Sequence, residues 1–442
     1  MNYIIINKDN IDKEHICCAM SNKKSLKKNI WIFTNKFNNK VKSIMLTKKQ
    51  KFIAILFFIM LLISEPYIVT CMFGLNVDLV WLVPAVIISV FSFMGNKRLP
   101  KSFILCACIQ ILTWMVFSLL HNDNSYITRI VFIIVTIFML NGVNNTIGIR
   151  KIIEINNNVV CLQAALGAVA FLLVFAGVLH PIFEYIQRDM RPAYFYGITC
   201  SNTIVGNLIR PAGFFDEPGA LAAWGIYALV FNKLFYDNKK LEYLLIGSLI
   251  FTLSLAYYVQ LILYILLFYS KNVKAAIPIA LIVCIAMVYV NSDSSSELYR
   301  LTLGRLDTFG NEGFEGTSRA AMTELSKQYF ENSPWIGIGA QTVEKIGVYS
   351  SDNPYESLGR DGILGTIAIY LPMIYVLIKI RNRYVLSAIA VLAAGYLQRP
   401  FHMNVMHYTM MYTFCILTLT TSIKKVTNKY GTSKNFSSNG CI

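Results

Sequence analysis

The stretch "IRPAGFFDEPGALAAWG", residues 209–225, sets Arg210, Asp216 and Glu217 beside Pro211, Gly213 and Pro218, directly ahead of an apolar run. An arginine guanidinium is planar, permanently charged and able to hold two oxygens at once, which suits phosphate. A carboxylate in this position has two possible tasks. It caps a helix starting near residue 218, where Pro fits the first turn and acidic groups face the positive helix end, or it serves as a general base. Pro211 and Gly213 shape an irregular backbone around Arg210.

A second region repeats this chemistry. In "YRLTLGRLDTFGNEGFEGTSRAAMTELSKQYFENSPWIGIGAQ", residues 299–341, Arg300, Arg305 and Arg319 alternate with glycine and aromatic residues. Thr317 or Ser318 caps a helix running to about Asn332, with Arg319 in its first turn, Met322, Leu325 and Tyr329 on one face, and Pro334 ending it. "SDNPYESLGRDGILG", residues 351–365, then leads into another apolar run through Arg360, Asp361 and Gly362. Polar residues at a span entrance point to a polar ligand. Asp352 reads either as a turn residue before Pro354 or as a general base, with Asn353 beside it. His402 and His407, with Arg399 in "RPFHMNVMHY", are further base candidates or interfacial side chains. Arginines from both regions meeting at one point would suit a pyrophosphate held at a lipid surface.

The elements that must position these residues are membrane spans. Of the 442 residues, 55% are hydrophobic and 14% charged, and the mean hydropathy is +0.52, outside the range of soluble domains. Apolar runs of the length that crosses about 30 Å of hydrocarbon recur from residue 52 nearly to the C-terminus. They divide into about 12 spans, at 52–73, 76–95, 102–120, 126–142, 159–180, 220–236, 242–255, 256–270, 275–291, 362–380, 384–398 and 406–423. With the first span entering from inside, the lysine-rich turns fall on one face, as the positive-inside rule requires. The pairing of 242–255 with 256–270, turned near Ala256 and Tyr257, keeps that alternation intact.

This divides the chain into a basic cytoplasmic arm (1–51), a polytopic domain (52–423) with two outer loops (181–219 and 292–361), and a cytoplasmic tail (424–442). Met45, just ahead of "LTKKQKF", is a second candidate start. The formal charge of +16 is distributed between spans rather than gathered on a basic domain, which argues against nucleic acid. In the first outer loop, "PIFEYIQRDMRPAYFYG" predicts a short helix lying in the interface. The ten cysteines have no paired metal or redox spacing and read mostly as small core residues.

In order, "IRPAGFFDEPGALA", "GTSRAAM…SPWIGIGAQ" and "DNPYESLGRDGILG" resemble the motifs of the O-antigen polymerase and ligase superfamily, with Wzy-type polymerases the nearer pattern. The resemblance covers about 210–365 and the whole topology. It implies an all-α polytopic glycosyltransferase of GT-C-like architecture in the bacterial cytoplasmic (inner) membrane, with periplasmic active loops and both termini cytoplasmic. The implied donor and acceptor are undecaprenyl-pyrophosphate-linked oligosaccharides; the growing glycan moves onto the next lipid-linked unit. Neither metal nor cofactor is implied, and the implied partners are membrane lipid, a chain-length regulator and a flippase. Arg210 and Arg319 match the outer-loop arginines that bind the pyrophosphate, Arg305 satisfies an Arg, ten residues, Gly spacing with Gly316, and Glu217 or Asp352 is the candidate base. Gly213, Asn353 and His402 support the site. The ligase relatives carry a histidine where this chain has Asp352 and Asn353, so ligase activity is the alternative, and transport of the same lipid-linked glycan is another.

Overall fold

A computed structural model describes residues 47–62, 77–187, 191–269, 299, 316–345, 353–399 and 403–421. The chain divides into two units, Met1–Phe52 and Ile53–Ile442. Most of the basic arm, the expected span 275–291, the tail 424–442, and the candidates Arg305, Asp352 and His402 lie outside the described residues.

Apolar runs without internal turn residues fold as helices, and helices make up most of the described chain. They are α1 (Lys48–Leu62), α2 (Val77–Val90), α3 (Lys101–His121), α4 (Ser125–Thr146), α5 (Ile149–Phe175), α6 (Pro218–Phe235), α7 (Lys239–Leu249), α8 (Leu255–Tyr269), α9 (Gly316–Asn332), α10 (Ala340–Lys345), α11 (Glu356–Lys379), α12 (Arg383–Gln398) and α13 (Val405–Thr420). Four of them, α3, α4, α5 and α11, are long and apolar enough to cross a membrane. Shorter apolar helices lie at Val80–Met94, Leu255–Tyr269 and Arg383–Leu397.

α3 shows why an apolar solvent suits these helices. Phe103, Cys106, Gln110, Trp114 and Phe117 are buried on one face, while Leu105, Leu112 and Leu119, seven residues apart on the other, are exposed. In water the outward stripe would be polar; here both faces are apolar, as lipid contact requires.

Three expectations are corrected. The helix expected at 159–180 begins at Ile149, because Asn156 and Asn157, which read as polar punctuation, are buried within α5. The turn expected at Ala256 lies earlier, at a 3-10 segment (Ile250–Thr252) and Leu253, whose φ is +50°. Either side of it α7 and α8 run antiparallel: the hydroxyls of Tyr264 and Tyr269, late in α8, donate to Glu242, early in α7, and Tyr257 donates to Ile246 O. The interfacial helix expected after residue 181 is instead a sheet of β1 (Phe183–Ile186), β2 (Pro192–Phe195) and β3 (Cys200–Ser201), in the order β1-β2-β3. Phe183 faces Phe195 and Tyr185 faces Ala193 in antiparallel register. Aromatic residues on alternate positions favour this pleat, and so short an apolar run fits either period. Two further strands, β4 (Ile204–Val205) and β5 (Leu208–Ile209), form a second hairpin.

The helix expected from residue 317 to Asn332 is present as α9, packed against α11. A Cβ on Gly359 would lie 2.5 Å from Ser326 O, so this crossing depends on glycine. Gln110 makes a second close junction. Pro372 within α11 has no N–H to offer Ala368 O, four residues earlier. Gln110 Nε2 donates to that carbonyl at 2.7 Å and to Ile369 O at 3.1 Å, while its Oε1 accepts from Tyr412 of α13. Gln110→Leu should therefore destabilise the protein by about 1–3 kcal/mol, because it leaves a buried carbonyl and a buried hydroxyl without partners. Thermal unfolding of the detergent-purified variant measures this.

Candidate functional site

Residues 199–217, which include the two-residue strands β3, β4 and β5, form a non-helical segment laid against the middle of α5. Thr199 Oγ1 accepts the Gly213 N–H at 2.9 Å, and Gln163 Oε1, near the centre of α5, accepts the Phe214 N–H at 3.0 Å. Cys200 and Gly213 pair as an isolated antiparallel bridge. Gly213 has a φ of +63°, and a Cβ there would sit 2.8 Å from Gln163 Oε1, so both conformation and close approach call for glycine. Pro211 packs on Gly167, where a Cβ would lie 3.1 Å from the proline ring. This backbone is held by protein groups along the flank of a long apolar helix, the condition under which non-helical chain persists at such depth.

Besides Gly213, the segment places Arg210 and Glu217 of the expected site residues. Arg210 is buried, and its Nε donates to Thr252 O, at the turn between α7 and α8, at 3.2 Å. Glu217 occupies the N-cap position of α6, yet its side chain makes no capping bond. It turns instead to two guanidiniums: Oε1 meets Arg399, at the end of α12, and Oε2 lies 3.7 Å from Arg191, just before β2. Gln187 Nε2 donates to Asp216 O at 2.6 Å, tying the small sheet to the same corner. Helix capping by the Glu217 side chain is thereby replaced by ion pairing.

A second polar cluster lies where α4 and α11 meet. Asp361 is fully buried; its Oδ1 accepts from Arg129 Nη1 at 2.8 Å and Tyr126 Oη at 3.0 Å, and its Oδ2 from Arg360 Nε at 3.0 Å. Arg360 Nη1 also reaches Glu356 Oε1 at 2.8 Å. The Arg129 guanidinium lies 4.8 Å from the Trp114 ring centroid and 4.4 Å from that of Tyr126. The network thus pairs two cations with two carboxylates and backs one cation with aromatic faces, which offsets the cost of desolvating it.

Asp361 stands at a break in α11. Gly362 is non-helical, with φ 65° and ψ −172°, and the chain after α9 fills the gap. Ile363 and Leu364 donate to the carbonyls of Pro334 and Trp335, and Ile338 and Gly339 donate to those of Gly359 and Arg360, all between 2.9 and 3.1 Å. The next turn is tied to the α3–α4 loop: Asp123 Oδ2 accepts the Gln341 N–H at 2.7 Å and Oδ1 the Ser125 N–H at 2.8 Å. Burial would raise the Asp123 pKa, but the N–H groups of Gln341 and Ser125, with Arg129 nearby, bring it below its ordinary value.

The other expected residues are placed as follows. Asn353 is buried; its Nδ2 donates to Ser326 Oγ at 3.1 Å and its Oδ1 accepts the Tyr355 N–H at 2.9 Å, so it anchors the entry to α11 on α9. Arg319 lies in the first turn of α9. His407 is held by Asn404 Oδ1 at 3.0 Å and sets its ring edge-on to Trp224, at 5.4 Å. The described residues hold two ion-paired centres, Glu217 with Arg191 and Arg399, and Asp361 with Arg129 and Arg360.

Arg129 was missed, although a lone arginine inside the apolar run 126–142 is itself a functional signal. Gln163 gave no such signal. Among the described residues, no group of three or more His, Cys, Asp and Glu side chains could hold a metal ion. No family model matches the chain, and no curated protein matches it.

Two outcomes follow. Asp361→Asn leaves Arg129 and Arg360 without their shared carboxylate and should destabilise the protein by about 3–5 kcal/mol, read by thermal unfolding in detergent. Asp123 has a lowered folded-state pKa, so its contribution is complete above the ordinary value of 3.8 and is lost as pH falls through the lower one. The stability gap between wild type and Asp123→Asn should accordingly stay constant above that value and shrink below it.

Proposed function

We propose that the chain is a multi-span glycosyltransferase that polymerises lipid-linked oligosaccharide repeat units, of the kind that build O-antigen or a similar surface polysaccharide. The observation that carries this reading is the buried polar segment along α5, which holds Arg210 against Thr252 O and sets the Glu217 cluster at the N-terminus of an apolar helix. A diphosphate leaving group needs permanent positive charge in a place poor in water, and this segment supplies it.

In the proposed reaction an acceptor sugar hydroxyl attacks the anomeric carbon of the donor glycan. The new C–O bond forms as the bond to the diphosphate breaks, undecaprenyl pyrophosphate leaves with the electron pair, and the hydroxyl proton passes to a carboxylate, Glu217 or Asp352. Arg210, with Arg319 and Arg305 from the second loop, stabilises the diphosphate as charge builds on it. To act as base, Glu217 must exchange one guanidinium for the acceptor hydroxyl. No metal is required, because the leaving group is already activated.

The proposal includes about 12 spans in a bacterial cytoplasmic membrane, both termini cytoplasmic and the two loops periplasmic. A chain-length regulator and a flippase would be its partners. The buried Arg129–Asp361 pair favours a second reading, transport of the same lipid-linked glycan, since charge inside spans often marks a substrate path.

The two readings separate in reconstituted vesicles supplied with lipid-linked repeat units on the active face. Polymerisation gives lengthened glycans there, whereas transport gives unlengthened units on the far side. In a strain that relies on this protein for long chains, Arg210→Ala at normal expression should cut long-chain product by about 100-fold. Full-length ladders from that variant would remove Arg210 from the mechanism.

A further inference from the structure

We infer that the β1 edge of the small sheet is a lipid-contact surface, on which Phe175, Val178, Ile182 and Ile186 form one apolar ridge seated in the headgroup layer of the leaflet where α5 ends. The inference rests on α5 as a membrane-crossing helix and on neither reading of the reaction. The four side chains are 63%, 69%, 66% and 51% exposed, although they come in turn from a helix end, the turn after it and a strand. Large apolar groups left open on successive elements mark a contact surface. The ridge also leads on from α5 itself, where Leu162, Val169 and Leu172 are exposed.

Packing fixes the depth of this ridge. The 27 residues of α5 make about 40 Å of helix against about 30 Å of hydrocarbon, so its last turn reaches the headgroup layer while Leu162, at its middle, lies among acyl chains. Gly177, with φ +71°, ends the helix: its N–H donates to Val174 O and that of Val178 to Leu173 O, both at 2.9 Å, a closure that turns the chain back. Leu179 and Tyr194 then pack with Ala170, Phe171 and Val174 of α5. The sheet therefore lies alongside the final turns of α5, level with Leu172 and Phe175. The solvent that meets those two side chains meets the sheet edge as well.

The other groups on the edge select the headgroup layer over the hydrocarbon. Ile182 and Ile186 share a face with Glu184, which is exposed and stands opposite Tyr194 in the register. His180, between Val178 and Ile182, is exposed too. Among the described residues β1 pairs only with β2, which makes it an edge strand, and an open edge needs water that hydrocarbon lacks. Apolar tips interleaved with a carboxylate, an imidazole and a hydrated strand edge match the boundary between acyl chains and headgroups. Seated there, the sheet sets how deep the following segment carries Arg210, since Gln187, directly after β1, holds Asp216 O.

The test is photocrosslinking of the full chain in phosphatidylcholine nanodiscs, with p-benzoylphenylalanine replacing Ile182 or Ile186 in turn. The same probe at Leu162 serves as the lipid-facing reference, and at Glu331, an exposed residue of the polar helix α9, as the reference in water. Mass spectrometry should find phospholipid adducts at 182 and 186 in about fivefold or greater yield than at 331. Adducts at 162 without adducts at 182 and 186 would overturn the inference. A crosslinked dimer at either position would overturn it as well, making the edge a contact between two copies. Absence of adducts even at 162 would take α5 out of the membrane, and the inference with it. Should the substituted chains fail to fold, hydroxyl-radical footprinting of the wild-type chain in the same discs decides: Ile182 and Ile186 should be oxidised about fivefold less than isoleucine of equal exposure in water. Oxidation at the full aqueous rate would overturn the inference without any substitution.

Discussion

An unpaired backbone N–H or C=O in apolar surroundings costs several kcal/mol, and three departures from helix among the described residues are organised around that constraint. Pro372 withholds a donor inside α11, and Gln110 supplies one from α3. Gly362 interrupts the same helix, and the chain around Pro334–Gly339 pairs the four groups exposed on either side of the break. Residues 199–217 leave helical geometry altogether beside α5, and Thr199 and Gln163 take the N–H groups of Gly213 and Phe214. Side chains that look incidental in the sequence thus become structural because a particular break elsewhere needs them.

The same constraint governs charge. Asp361 is tolerable in full burial because three donors share its two oxygens, and Arg129 because aromatic faces back it. Neutralisation of this kind fixes geometry tightly. The Glu217 corner is built differently: one carboxylate faces two guanidiniums, and one of those is half exposed. The Asp361 network is sealed from solvent, whereas the Glu217 pairing reaches the surface at Arg191.

Much of the frame was legible in the sequence because long apolar runs have little choice of fold. The helix from 316 to Asn332 was readable from its cap residues, its apolar face and Pro334, and the break between α7 and α8 from the charge pattern of the flanking turns. The sheet after residue 181 was not, since its strands are four residues or fewer and depend on cross-strand contacts such as that of Phe183 with Phe195. The start of α5 was hidden because buried asparagines look like loop residues until their neighbours are known. At the site, residue types pointed to Arg210 and Glu217, but the partners that define Glu217 lie 26 residues before it and 182 after it, beyond any local spacing rule.

The first turn of α13 sits between α6 and the buried polar network of α4. Asn404 caps that turn by accepting the His407 N–H at 2.9 Å, which sets His407 against Trp224 of α6. The neighbouring Tyr408 is fully buried and lies within the electrostatic reach of Arg129 and Asp361. Consecutive residues of one helical turn therefore face the helix that Glu217 begins and the network that closes the broken α11.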